Sequence, residues 1–186
     1  MANPATTFPR FTAKEYLEIE RQAASKHEFV DGLVYAMAGA GRTHNSIAGN
    51  VFARLHAGVR PPCNAFNSDM KVWVKAVGFE HFFYPDAHVT CSDLDRDPQF
   101  NERPILIVEV LSDSTEIYDR DAKFEHYKRL PSLQEYLLLQ HGQPVAELYR
   151  KRTGLQKELY SISDGMTLES VQLTLPIAAL YERVQF

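Results

Sequence analysis

Two carboxylates, Asp86 and Glu109, have the types and the spacing of metal-binding residues. Glu109 stands inside residues 104–111, an apolar run typical of a strand buried on both faces. An ionised carboxylate there is costly unless it is paired or bound to a metal. Asp86 follows Pro85, which places it at an edge, a bulge or a break of the preceding strand. Together the two carboxylates predict an oxygen-rich site of the kind that Mg²⁺ prefers, with the backbone carbonyl of Val110 as a further ligand.

The segment after the second of these strands adds a polar helix face. Asp119, Lys123 and Tyr127 are spaced i, i+4 and i+8, so they lie along one side of a predicted helix. A lysine beside two metal-binding carboxylates suits phosphodiester hydrolysis, because its ammonium holds the attacking water while a metal stabilises charge on the phosphate. A structural alternative stays open, in which Asp86 closes a turn and Lys123 forms a buried salt bridge with Glu109. The joint occurrence of all these groups favours a site.

Local patterns predict the elements that position these groups. Thr12 and Glu15 have capping-box spacing at the start of a helix, and Asp31-Gly32 is typical of a tight hairpin turn. The predicted helices span residues 12–24, 43–58 and about 112–129, with a short one after Pro176; the predicted strands span residues 27–30, 33–37, 64–67, 69–75, 82–91 with a break at Pro85, 104–111, 135–140, 144–151 and 155–161. This order predicts an α/β fold with a central mixed β-sheet flanked by helices. We expect a loose N-terminal arm over residues 1–10 and a single domain over residues 11–186.

Composition narrows the class of protein. The 186 residues, 45% of them hydrophobic, suit one domain with one sizeable core. No apolar run approaches the roughly 20 residues that span a bilayer, and the N-terminus lacks a secretory signal, so we expect no membrane partner and a cytoplasmic location. The net charge of -4 argues against a generally basic surface for nucleic acid, although a bound cation would offset an acidic metal site. Cys63 and Cys91 form no CxxC pair and no His/Cys cluster, which predicts two small core residues rather than a zinc site.

Several stretches of the chain, taken together, resemble one family of enzymes. They are residues 84–86 (YPD), 107–112 (IVEVLS), 114–123 (STEIYDRDAK) and 133–139 (LQEYLLL), with Tyr127 between them and with 27–32 (HEFVDG), 37–39 (MAG) and His44 upstream. As a set they resemble the Uma-type family of restriction endonucleases, which is part of the PD-(D/E)XK nuclease superfamily. The resemblance covers the chain from about residue 10 onward.

The resemblance implies a restriction-endonuclease-like core in which Asp86 and Glu109 are metal ligands. It also implies that Glu28 contributes to the metal site or to the activation of water. The sequence departs from the simplest superfamily pattern, because Leu111 occupies the position of the lysine in the E-X-K element. In this family the matching lysine lies on the following helix, which makes Lys123 the corresponding residue.

Three further side chains are possible accessories to this site. His44 could contact a phosphate or orient Glu28, or it could make only a polar contact at the N-terminus of a helix. Asp119 and Tyr127 share the helix face of Lys123. The expectation is therefore a Mg²⁺-dependent endonuclease, with Mn²⁺ as a possible substitute, that acts on nucleic acid, with DNA as the expected substrate.

Two other functions remain open at this point. A nuclease fold that has lost catalysis could bind nucleic acid or a partner protein, and the net charge of -4 keeps that possibility open. A hydrolase for a small phosphate ester would need a deep closed pocket, whereas a nuclease needs an open groove with Lys or Arg on its rim. A symmetric homodimer is expected, because cutting both strands of a duplex needs two sites and two-fold dimers are the commonest oligomers.

Overall fold

The computed structural model of the chain describes residues 9–112 and 118–186. Within these residues the helices and strands are α1 (Ala13–Glu20), β1 (His27–Val30), β2 (Leu33–Ala36), α2 (Arg42–Gly58), β3 (Asn64–Asn67), β4 (Lys71–Ala76), β5 (Phe79–Phe83), β6 (Ala87–Thr90), β7 (Phe100–Asn101), β8 (Pro104–Val110), a π-helical turn (Asp119–Lys123) that continues directly into α3 (Phe124–Tyr127), β9 (Glu135–Leu139), β10 (Ala146–Arg150), β11 (Lys157–Tyr160), β12 (Gly165–Leu168), β13 (Leu173–Pro176) and α4 (Ile177–Leu180). We call residues 119–127 the site helix. The predicted start of this helix, near residues 112–115, lies mostly outside the described residues.

A six-stranded mixed sheet forms the centre of the molecule, as the sequence predicts. Its strand order is β11-β10-β9-β8-β6-β3, and β8 pairs in parallel with β9 while the other pairs are antiparallel. β8 is buried along almost its whole length, which agrees with its apolar run. Leu106, Val108 and Val110 belong to the core cluster that also holds residues of α2, whereas Ile107 packs in the cluster on the other face. Because strand side chains alternate, Glu109 projects to the Ile107 face.

A second sheet, of five strands, carries the predicted hairpin. Its order is β2-β1-β5-β4-β7, and Asp31 and Gly32 form the turn between β1 and β2 with φ of 49° and 84°. The predicted strand 82–91 proves to be two strands, β5 in this sheet and β6 in the six-stranded one. Pro85 stands at the change of sheet, so the predicted break is a crossing between sheets rather than a local bulge.

Helices cover the sheets in the way that their apolar faces predict. α2 buries Ile47, Val51 and Leu55 against the six-stranded sheet. The site helix packs between the two sheets, because Phe124 and Tyr127 share one cluster with side chains of both. α1 begins with the predicted capping box of Thr12 and Glu15 and ends at residue 20 instead of 24, where the chain tightens into i→i−3 turns.

Cys63 and Cys91 form a disulfide, with their Cα atoms 3.8 Å apart. The expectation of two separate small core residues was therefore wrong. β3 runs antiparallel to β6 with Asn64 opposite Thr90, so the next pair along the two strands places Cys63 opposite Cys91. The 28-residue separation hides this pairing in the sequence, because only the strand register reveals it.

The described residues contain no helix that is long and apolar enough to cross a membrane.

Of the predicted N-terminal arm, residues 1–8 lie outside the described part. Arg10 donates from Nη1 to the carbonyl oxygen of Asp31, and the Phe11 N–H donates to the carbonyl of Gly32. The chain is therefore held against the hairpin turn from residue 10 onward.

Candidate active site

The two carboxylates predicted on neighbouring strands stand opposite each other. Ala87 of β6 pairs with Val108 of β8, so the same register continued by one residue places Asp86 opposite Glu109. The Asp86 N–H donates to Glu109 Oε2 at 3.3 Å, and the Val110 N–H donates to Asp86 Oδ2 at 2.7 Å. These backbone bonds fix both carboxylates in the wall of one cleft, which both residues line.

Lys123 reaches this wall from the site helix. Its Nζ lies 3.0 Å from Glu109 Oε1, 2.9 Å from Glu28 Oε1 and 3.8 Å from Asp119 Oδ1. Its side chain is only 6% exposed, so the ammonium is held inside the cleft rather than at its mouth. A lysine on the helix therefore reaches the Glu109 carboxylate, although Leu111 occupies the strand position that usually carries it.

Glu28 comes from the other sheet. It lies on β1, and its Oε1 also accepts the backbone N–H of Tyr84 at 3.5 Å. Lys123 thus bridges a carboxylate of the five-stranded sheet and a carboxylate of the six-stranded sheet. The crossing between the sheets at Pro85 makes this possible, since it brings the end of β5 and the start of β6 to the same point.

Two tyrosine hydroxyls complete the bonding around the site helix. Tyr127 donates its hydroxyl to Glu109 Oε1 at 3.0 Å, which agrees with its predicted place on the Lys123 face. Tyr136 donates to the backbone carbonyl of Asp119 at 3.0 Å. Sequence reasoning missed Tyr136, because a tyrosine inside the apolar strand β9 has the pattern of an ordinary core residue.

His44 contacts Asp86, whereas orientation of Glu28 had been one of its possible roles. Its Nε2 lies 3.2 Å from Asp86 Oδ2, and its side chain is 17% exposed. Its Nδ1 is buried and has no hydrogen-bond partner among the described residues. Burial would lower the pKa of His44, but the hydrogen bond and charge of Asp86, together with the Val110 carbonyl, raise that pKa above its ordinary value. His44 therefore steadies the Asp86 carboxylate at the start of α2.

Burial dominates the electrostatics of the buried pair. It raises the pKa of Glu109 well above the ordinary value; Lys123 opposes this shift, while Asp119 and Asp86 add to it. Burial alone would lower the pKa of Lys123, but Glu109 and Glu28 raise that pKa well above its usual value. The lysine therefore stays protonated, and the cleft favours any added positive charge.

The cleft holds about 680 Å³ and is rich in carboxylates. Four acidic residues line this cleft. Glu28, Glu109 and Asp119 lie close to the Lys123 ammonium, and the Asp86 N–H donates to Glu109. Lys26 and Lys123 are the lysines among the described residues that line the cleft. Arg150, in the basic segment 150–152, is buried in ion pairs with Glu135 and Glu158 and does not line this cleft.

The donor set around the cleft fits Mg²⁺ better than Zn²⁺. No three His, Cys, Asp or Glu side chains in the described parts of the chain converge closely enough to hold a metal ion by themselves. Mg²⁺ commonly takes one or two carboxylates and keeps several waters, whereas structural zinc takes four protein ligands. Asp86 Oδ2 accepts the Val110 N–H and lies 3.2 Å from His44 Nε2. Asp86, Glu109 and the Val110 carbonyl, completed by water, are the kinds of ligand that Mg²⁺ takes.

Comparisons with known proteins point the same way. The Uma2 family model, described as "Putative restriction endonuclease", matches residues 13–180. Two uncharacterized proteins of Synechocystis sp. are similar to the chain: slr1290 is 36% identical over 191 residues, covering 99% of this chain and 98% of that protein, and sll1609 is 38% identical over 149 residues, covering 75% and 80%.

A solved structure shares the fold. It is a crystal structure from Anabaena variabilis described as a "putative nuclease belonging to DUF820", with a TM-score of 0.76 and 17% identity over 94% of this chain and 99% of that one. The resemblance predicted from the motifs is confirmed, since the family model covers most of the chain, including Glu28, Asp86, Glu109 and Lys123. The protein therefore belongs to the Uma2 family.

Proposed function

We propose that the protein is a metal-dependent endonuclease that hydrolyses phosphodiester bonds of DNA. The observation that carries the proposal is the ammonium of Lys123, held between Glu28 and Glu109 in the wall that Asp86 shares. A buried structural salt bridge would need one carboxylate. Here four carboxylates surround the cleft, and this acidic surplus suits a divalent cation.

Mg²⁺, with Mn²⁺ as a possible substitute, would be held by Asp86, Glu109 and the Val110 carbonyl. When bound, the ion would supply Lewis-acid stabilisation of the negative charge that develops on the phosphate. Lys123 stays protonated, so its role is to donate hydrogen bonds to the attacking water and to the phosphate.

The proton of the attacking water needs an acceptor in the same cleft. Glu28 has Oε1 2.9 Å from the Lys123 ammonium, so a water held by that ammonium lies within reach of the Glu28 carboxylate. In this arrangement the water oxygen forms the new bond to phosphorus, one of its protons passes to Glu28, the bond from phosphorus to the leaving oxygen breaks, and the leaving alkoxide takes up a proton from solvent water. His44 and Tyr127 hold Asp86 and Glu109 in place and do not contact the reacting atoms.

Cleavage of labelled DNA by the purified protein, with Mg²⁺, Mn²⁺ or EDTA, tests the proposal. Asp86→Asn and Lys123→Met are expected to lower the cleavage rate by about 100-fold or more, as loss of a charge-stabilising group does. Lys128→Met is the matched control, because Lys128 follows the site helix and pairs with Glu125 away from the cleft. The control variant is expected to stay within about twofold of the wild-type rate. Thermal unfolding of each variant checks that it is folded.

Four results would count against the proposal in different ways. Cleavage at the wild-type rate by Asp86→Asn would refute the site, and cleavage in EDTA would refute metal dependence. Hydrolysis of small phosphate esters without DNA cleavage would favour the small-ester hydrolase. DNA binding without cleavage under every metal would favour the inactive binding module. The homodimer expected for two-strand cleavage remains a prediction, which sedimentation of the protein with and without DNA would test.

A further inference from the structure

Two tyrosines with unusually exposed rings flank the candidate active site. Tyr35 is 51% exposed and Tyr118 is 37% exposed. Tyr84, which lines the cleft together with Tyr118, is buried and donates its hydroxyl to Glu20 Oε1. Tyr35 and Tyr118 are therefore the aromatic rings near the cleft that a ligand could contact, among the residues that the structure describes.

Strand register places Tyr35 beside Glu28. In the antiparallel pair of β1 and β2, Tyr35 is the direct partner of Glu28. Directly opposite residues project from the same face, with Cβ atoms about 4.5–5.5 Å apart. β2 is the edge strand of its sheet, so no further strand covers Tyr35 on its outer side. Because Glu28 contacts Lys123, Tyr35 is the strand partner of a proposed catalytic residue and lies at the margin of the cleft.

Tyr118 lies near Glu28 on a different element of the fold. It directly precedes Asp119 at the start of the site helix and lines the cleft. Burial, followed by the negative charge of Glu28, raises the pKa of Tyr118 to about 12. Both tyrosines are therefore near Glu28: Tyr35 is its strand partner, and the Tyr118 phenol is within electrostatic range of its carboxylate.

The negative charge of the cleft means that binding of nucleic acid there needs a source of affinity other than positive charge. Binding of nucleic acid usually gains most of its affinity from cations that neutralise phosphates. Here the net charge is -4, the cleft is rich in carboxylates, and one of its two lysines is held by Glu28 and Glu109. Stacking of bases on aromatic side chains supplies affinity without positive charge and tolerates any base sequence.

Building on the nuclease function proposed above, we infer that Tyr35 and Tyr118 stack on bases next to the scissile phosphate. In an intact duplex both faces of each base are covered by neighbouring bases, so a tyrosine ring stacks only on a base that is outside the helix. The substrate class is therefore a single-stranded or locally unpaired segment of DNA, and one such strand needs one active site.

Fluorescence anisotropy in EDTA measures binding separately from cleavage. The probes are a labelled 20-nucleotide strand and the duplex of the same sequence, with the wild-type protein and four variants: Tyr35→Ala, Tyr118→Ala, Tyr35→Phe and Tyr118→Phe. We expect tighter binding of the single strand than of the duplex. Each Ala variant should raise the Kd for the single strand about 5-fold to 100-fold, the range seen when a stacking ring is removed. The Phe variants, which keep the ring, should still bind the single strand more tightly than the duplex.

Phe186→Ala is the matched control, since it removes another exposed aromatic ring that contacts Tyr181 instead of the cleft. Its Kd should stay within about twofold of the wild-type value. If both Ala variants bind the single strand with the same Kd as this control, the stacking inference is overturned while the nuclease function stands. The same conclusion follows if the wild type binds and cuts the duplex with the same affinity and rate as the single strand. Absence of both binding and cleavage for every nucleic acid would overturn the two together.

Discussion

At the scale of single residues, the chemistry of Glu109 is set by its place inside β8. Its carboxyl accepts the Tyr127 hydroxyl on Oε1 and faces Lys123, while the other oxygen accepts the Asp86 N–H. Burial raises its pKa well above the ordinary value, and the lysine only partly opposes that effect. An added divalent cation would therefore compete with a proton at this carboxyl.

This competition predicts how metal affinity changes with pH. A folded-state pKa above 4.5 means that protonated Glu109 persists from about 4.5 up to the raised value, so metal binding in that window must release a proton. Affinity for Mn²⁺ is expected to increase with pH and to level off above the raised pKa. Calorimetric titration at a series of pH values from about 4.5 upward, in two buffers with different ionisation heats, measures both affinity and proton release. Affinity that is constant over this range, with no proton released, would contradict the prediction.

The acidic residues and the lysine can be picked out from the sequence, whereas the contacts of their neighbours cannot. Asp86, Glu109 and Lys123 can be found because a charged residue in an apolar strand, or on one helix face, departs from the local pattern. The contact of His44 with Asp86 could not be predicted, since it depends on how the start of α2 approaches the sheet. Tyr118 gave no signal of its own, because its position is defined by the packing of the site helix.

At the scale of elements, α2 shows how backbone packing sets the tolerance to substitution. Two of its glycines, Gly49 and Gly58, differ in their surroundings. A Cβ at Gly49 would meet nothing within 4 Å, whereas a Cβ at Gly58 would lie 2.7 Å from both Leu173 methyl carbons. Gly49 lowers the helix propensity of α2 without making room for a neighbour, whereas the missing side chain at Gly58 lets Leu173 of β13 pack against α2.

Substitution of these two glycines by alanine should therefore have opposite effects. Gly49→Ala is expected to raise the free energy of unfolding by about 1 kcal/mol, because alanine favours a helix over glycine. Gly58→Ala is expected to lose this gain and to lower the stability below wild type, because Leu173 must move away. Urea unfolding of both variants measures the difference. Equal stabilisation by the two substitutions would show that Leu173 moves at no cost.

β6 also contains His88, a histidine whose burial should make the stability of the protein depend on pH. This histidine is fully buried, stacks on Phe66 and has Nε2 2.9 Å from the Asn101 amide nitrogen. Burial lowers the pKa of His88 to about 3. The folded protein therefore keeps His88 neutral, while the unfolded chain takes up a proton below about pH 6.5.

The protein should accordingly lose stability as the pH falls from about 6.5 towards 3. Between pH 7 and pH 5, His88 alone is expected to lower the free energy of unfolding by about 2 kcal/mol. His88→Gln, which keeps an amide for Asn101 and does not titrate, should show a decrease smaller by that amount. Urea unfolding at both pH values, wild type against variant, isolates the effect from Glu109, whose raised pKa acts with the opposite sign. Identical pH dependence in the two proteins would refute the assignment.

At the scale of the whole molecule, the site exists because two sheets meet around one helix. The sequence predicts most of the strands, but it does not predict that they divide between a six-stranded and a five-stranded sheet. Periodicity reports which residues of a strand face a core, whereas the choice of partner strand depends on contacts far apart in the chain. The short strand β7 and the β12–β13 hairpin were missed for a related reason, since two to four residues carry too little pattern.

The disulfide cross-links the two strands at one edge of the six-stranded sheet, and its removal measures how much it stabilises the fold. Cys63–Cys91 closes a loop with a sequence separation of 28 and joins the edge strand β3 to β6, which begins next to Asp86. Loop closure of this length is expected to stabilise the protein by about 3–4 kcal/mol through the unfolded state. Reductant should therefore lower the free energy of urea unfolding by about that amount. The variant Cys63→Ala/Cys91→Ala should have the lower stability from the start and should not respond to reductant. Thiol titration of the denatured, unreduced protein provides the decisive check, because two free thiols there would show that the bond does not form.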